Sequence, residues 1–95
     1  MEQTALFWAV KRNNILMTRF LLKKFSRVNH KDLAGRTALN FAVEDKNLAM
    51  VQILICFKAN PSSENNDNEK IIDLYKNNNL EIDRILRLGD SQLKL

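Results

Sequence analysis

Cysteine occurs once in these 95 residues, at Cys56, so no disulfide can form within the chain and a reducing compartment, cytoplasm or nucleus, is its expected home. Histidine also occurs once, at His30, far from Cys56 and without ligand spacing, which argues against a zinc site. Proline occurs once and glycine twice, which disfavours a fold of short strands and turns and favours helices. No apolar run approaches the roughly 20 residues of a membrane span, and the opening Met1-Glu2-Gln3-Thr4 is polar and acidic, unlike a signal peptide. There is no glycine-rich phosphate loop. The carboxylate pair Glu44-Asp45 has no histidine or nucleophile beside it, so it reads as a solvated helix end rather than an acid–base pair. No cofactor, metal or catalytic constellation is expected.

What is present suits one folded domain over residues 1–95, with 45% hydrophobic and 27% charged residues. The net charge of +4 is unevenly spread: residues 1–36 carry +6 and residues 37–95 carry −2. Such asymmetry bears on the surface a partner must present, not on the fold.

The strongest signal is self-similarity. Thr4-Ala5-Leu6 recurs 33 residues later as Thr37-Ala38-Leu39, and Ala9-Val10 as Ala42-Val43. Met17, Phe20, Leu21 and Leu22 recur at the same offset as Met50, Ile53, Leu54 and Ile55. A weaker third copy opens at Lys70-Ile71-Ile72 and is one residue short between Lys76 and Asn79. The copies span about 4–36, 37–69 and 70–89. Each reads as two helices: Leu39, Ala42 and Val43 make one apolar stripe, and a second apolar run follows from Met50 to Phe57. Helices are predicted near 5–12, 15–25, 38–45, 48–57, 71–77 and 80–88, with Thr37 as an N-cap and Gly89 as the final C-cap. Cys56 is expected to be a small buried hydrophobe. A pair of short helices cannot bury two apolar faces alone, and stacking pairs resolves this as an all-α solenoid.

The stretch Arg27-Val28-Asn29-His30-Lys31-Asp32-Leu33-Ala34-Gly35-Arg36-Thr37-Ala38-Leu39-Asn40-Phe41-Ala42-Val43 closely resembles the ankyrin repeat, whose pattern runs D-V-N-A-x-D-x-x-G-x-T-P-L-H-x-A-A. Asp32, Gly35 and Thr37 match its turn, where Gly35 supplies a positive φ. The chain departs from the pattern in three places. The proline is Ala5, Ala38 and Ile71; the histidine is Phe7, Asn40 and Asp73; the glycine closing the first helix is Asn13, Lys46 and Asn79. Residues 62–69 are expected to replace the third turn with a polar, flexible segment. The third copy is expected to be a terminal cap, because Glu81, Asp83, Arg84 and Arg87 let its outer face meet water.

The resemblance implies an interaction module, an adaptor or inhibitor with no enzymatic role, that binds another protein through a concave surface of turn tips and first helices. Carried over by position, the contacts are Lys11, Arg12 and Lys31 for the first copy. For the second they are Leu33, Ala34, Arg36, Glu44, Asp45 and Glu64, and for the third Asn66, Asp67, Glu69, Asn77 and Asn78. The basic cluster of Lys11, Arg12, Lys23, Lys24, Arg27, Lys31 and Arg36 admits three readings: a solvated face, a surface for an acidic protein, or a nucleic-acid surface. The last is disfavoured because Phe7 and Trp8 fall in the packing pattern rather than forming a stacking platform. Phe7, Trp8, Leu16, Met17 and Phe20 would leave the N-terminal end poorly covered. That end either belongs to a longer stack, self-associates, docks a partner, or is screened by the stems of Lys11, Arg12 and Arg19.

Overall fold

In the computed structural model, residues 2–25, 27–74 and 80–94 are described, and among them six helices succeed one another. They are α1 (Glu2–Lys11), α2 (Ile15–Phe25), α3 (Ala38–Glu44), α4 (Leu48–Cys56), α5 (Ile71–Leu74) and α6 (Leu80–Lys94). They pair as α1/α2, α3/α4 and α5/α6. The pairs stack in order, α1 against α3 and α4 against α6. Leu6, Val10, Leu22, Leu39, Ala42, Met50, Val51, Leu54, Ile71, Ile82 and Leu86 form one buried core through the stack.

The 33-residue period is written in the backbone as well as in the side chains. α1 ends at Asn13 (φ 56°) and α3 at Lys46 (φ 54°), both left-handed. In each, the next amide reaches back five residues: Asn14 N–H to Ala9 O at 2.8 Å, Asn47 N–H to Ala42 O at 3.1 Å. This pattern satisfies the last carbonyls of a helix and asks for a residue that tolerates positive φ. Asparagine does so readily and lysine only at a cost. Asn14 and Asn47 then cap the second helices, their side-chain oxygens accepting from Met17 N–H (3.1 Å) and Met50 N–H (3.2 Å). Asn47 Nδ2 donates across the repeats to Asn13 Oδ1.

At the start of α3 the side chain of Asn40 takes the place of the family histidine. Its Oδ1 accepts from Thr37 N–H at 2.9 Å, with the Thr37 hydroxyl at 3.4 Å, all of it buried. Residue type changes here while the hydrogen bond survives, because the local need is for an acceptor three residues into the helix.

Three expectations need correction. Gly89 does not end α6, which runs on to Lys94. The glycine is there for space: a Cβ would lie 2.9 Å from Ile55 Cγ2 and 3.5 Å from Pro61. The next residue, Asp90, accepts from Ser62 Oγ at 2.6 Å, which ties the helix to the third turn. Cys56 is exposed, not buried. α4 is apolar on most sides, yet the stack covers fully only Met50, Val51 and Leu54, and Cys56 falls on the outward side with Gln52.

The third turn is also not a flexible substitute. In the second turn Asp32 Oδ1 accepts from Ala34 N–H (2.9 Å) and Arg36 N–H (2.8 Å). Thirty-three residues on, Asn65 Oδ1 accepts from Asp67 N–H (2.8 Å) and Glu69 N–H (3.0 Å). The backbone pairs repeat too, Asp32 N–H to Arg36 O and Asn65 N–H to Glu69 O, and Asn68 (φ 62°) stands where Gly35 (φ 81°) stood. Asparagine replaces both aspartate and glycine because its carbonyl accepts as a carboxylate does and it tolerates the left-handed region.

Candidate interaction surface

The two turns project beyond the helices and lock together. Asn66 N–H donates to Ala34 O at 3.0 Å and Asn66 Nδ2 to Leu33 O at 2.6 Å. Lys31 Nζ donates to Glu64 O at 2.8 Å. Deeper in, Asn29 donates to Lys58 O (3.2 Å) and accepts from Asn60 N–H (2.7 Å). Gly35 is doubly constrained, since a Cβ there would sit 2.6 Å from Asn66 Oδ1. These bonds cross from one repeat to the next, so the tips are a rigid ladder rather than independent loops.

Below the tips the first helices contribute aromatic rings. Phe7 of α1 meets Phe41 of α3 edge to face, centroids 5.6 Å apart at 67°, and His30 lies 6.2 Å from Phe7. Two cations sit on Phe41: Lys11 Nζ at 4.5 Å and the Arg36 guanidinium at 4.9 Å from its centroid. Such contacts contribute about 0.5–2 kcal/mol each, depending on desolvation. Arg36 is held further by Asp32, Nε to Oδ2 3.3 Å. Phe41 therefore organises Lys11 and Arg36, residues 25 apart in sequence, into one basic patch.

The expected contact residues fall into groups. Lys31, Leu33, Ala34, Glu64, Asn66, Asp67 and Glu69 are all exposed along the two turns, Leu33 completely so. Lys11, Glu44 and Asp45 are exposed at the ends of the first helices, and Arg36 is partly buried. Arg12 parts from Lys11: its guanidinium lies 4.6 Å over the Trp8 ring, away from Phe41. Asn77, Asn78 and Asn79 lie outside the described residues. Phe41 was not anticipated, although its place 33 residues after Trp8, on a first helix beside the turn, was a usable signal. Among the described residues no group of three or more His, Cys, Asp or Glu could hold a metal ion, and no helix is long and apolar enough to cross a membrane.

Helix pairs repeated at a fixed period, the second and third each preceded by a turn and the two turns bonded to one another, define a helical repeat solenoid. Residues 1–69 match the family described as Ankyrin repeats (3 copies), and the chain belongs to that family. Ankyrin repeats are in general protein–protein interaction modules and not catalysts.

Proposed function

We propose that this chain is an adaptor or inhibitor that binds a partner protein along its turn tips and first helices, with an acidic partner surface over the first repeat. The observation that carries this reading is Leu33. An apolar side chain stands fully exposed at the tip of a turn held by Asp32 and Asn66, with Lys31 and Arg36 in the same turn. Folding gains nothing from exposing it, whereas a pre-ordered apolar tip with charges around it is a good binding anchor.

Charge supports an orientation for that partner. At matched positions Lys11 becomes Glu44, Arg12 becomes Asp45, Lys31 becomes Glu64 and Arg36 becomes Glu69. A partner carrying the opposite gradient would be steered onto the surface in one direction. Phe7 and Phe41 are packed on one another and offer no open platform for bases, whereas Trp8, expected to be a packing residue, is 55% exposed beneath Arg12. A reducing compartment, cytoplasm or nucleus, suits the single exposed thiol.

The test begins with capture from the source cell and mass spectrometry, followed by kinetics on the protein identified. Lys11→Glu with Arg12→Glu is expected to slow association while folding stays intact, and Leu33→Asp to weaken affinity at least about tenfold. Normal binding by these variants, with loss on changing Arg19, Lys23 and Gln52 of the second helices, would overturn the assignment. A steep salt dependence indifferent to sequence, with oligonucleotide as ligand, would shift it to nucleic acid.

A further inference from the structure

The second and third turns share one backbone and carry opposite charge. Asp32 and Asn65 close them with the same pair of bonds, and Gly35 and Asn68 pass through the same left-handed region. The side chains they present differ. Residues 31–36 hold two cations, Lys31 and Arg36, against one carboxylate, while residues 64–69 hold three carboxylates, Glu64, Asp67 and Glu69, and no cation. Lys31, Glu64, Asp67 and Glu69 are exposed, and the Arg36 side chain is 42% exposed. The turns do not neutralise each other. They meet through amide and carbonyl groups, and Lys31 Nζ reaches the main-chain oxygen of Glu64, not its carboxylate.

One sign on one turn and the other sign on the next is a self-complementary pattern. A two-fold axis in the contact plane, running along the first helices and between the turns, sets the second turn of one copy over the third turn of another, and the reverse. Every opposed pair of unlike charges then occurs twice. A pairing of second turn on second turn instead opposes Lys31 and Arg36 with themselves, which is unfavourable. Leu33 lies at the seam of the two turns, its carbonyl accepting from Asn66 Nδ2 at 2.6 Å, so it falls near the axis in both copies. Its fully exposed side chain thereby gains an apolar neighbour at the centre of a charged rim. The bonded turns are already ordered, which lowers the entropy lost on association.

We infer that the turn-tip surface takes a second copy of this chain, as a two-fold dimer through the second and third turns. The inference rests on the function proposed above, since it regulates the same surface. The dimer covers Leu33, so a second copy and a partner protein exclude one another, and the concentration of the chain sets how much surface is open. Two turns bury little area, so the dimer is weak, and its rim charges make it sensitive to salt.

A charge swap tests it. Lys31→Glu with Arg36→Glu gives the second turn the charges of the third, and Glu64→Lys with Glu69→Arg gives the third those of the second. Each uses residue types that the chain already holds at the matched positions. In sedimentation at low salt the natural chain is expected to pass from monomer to dimer below about 1 mM, and to lose the dimer as salt rises. Each swapped variant alone should self-associate at least about tenfold more weakly, and the two mixed should form a one-to-one complex. Net charge cannot produce that complex, because the swaps leave one variant near neutral and make the other more positive. Should circular dichroism show that a swap unfolds the chain, Leu33→Asp, which opposes two carboxylates near the axis, serves as the monomeric variant. Absence of a dimer at about 1 mM overturns the inference and leaves the partner reading standing. A dimer that the swaps leave intact and Met17→Glu abolishes also overturns it, as does a protein that binds through Leu33 without dissolving the dimer. A dimer that obeys the swaps, with no protein captured on these turns, supports the inference and sinks the partner reading.

Discussion

Met17 and Ile82 hold the same position in the first and third repeats, yet one faces water and the other is sealed in the core. At the C-terminal end the last helix turns Arg84 and Arg87 outward, half-buries Asp83 and keeps Ile82 and Leu86 in. At the N-terminal end the first pair shows Trp8, Leu16, Met17 and Phe20. Matched positions therefore differ in residue type with the face they lie on: the first repeat is apolar there and the third carries charge.

The sharpest way to break this comparison is to remove the C-terminal pair. Deleting residues 70–95 is expected to uncover Leu54 and Ile55 and abolish cooperative unfolding, seen as aggregation in light scattering and loss of a thermal transition. Next comes the methionine pair. Met50→Ala is expected to cost about 2–5 kcal/mol as a core truncation, and Met17→Ala to stay within about 0.5 kcal/mol as a surface change. Equal losses in urea titration would mean that the first repeat is covered after all. Gly35→Ala tests the tip ladder; positive φ and the Asn66 contact together should cost about 1–3 kcal/mol. Smaller still is a gain: Lys46→Gly relieves a left-handed lysine and should raise stability by up to about 1 kcal/mol. Asn13→Gly, at the same position of the first repeat, should gain less because asparagine already tolerates that backbone. Arg87→Ala should cost about 1 kcal/mol in urea titration, since Arg87 is exposed but its partner Asp83 is largely buried and would lose its cation.

Much of the candidate surface was legible beforehand. The exposed turn residues from Lys31 to Glu69 were marked by position, since they break the apolar period; that Lys31 and Asn66 also bond one turn to the next was not. Phe41 was hidden because an aromatic on a first helix reads as core, which it largely is. Its second role, gathering Lys11 and Arg36, depends on three segments meeting. The separation of Arg12 from Lys11 was equally invisible: neighbours on a helix point about 100° apart, and which ring each finds depends on packing.

The sequence by itself determined the period, the six helices and the residues between them, because burial every three to four positions is a one-dimensional signal and the repeat supplies it twice over. It determined the turn at Asp32–Arg36 through a glycine at positive φ. Only the tertiary structure decided that Asn65 and Asn68 rebuild that turn without either residue, since hydrogen-bond geometry survives a change of letters. It also decided that Gly89 lies inside a helix, a choice made by the volume Ile55 leaves and not by local propensity. Cys56 faces water for a like reason. An apolar segment says that burial is favourable, but the number of sides actually covered is set by the neighbours, and only the assembled stack has those.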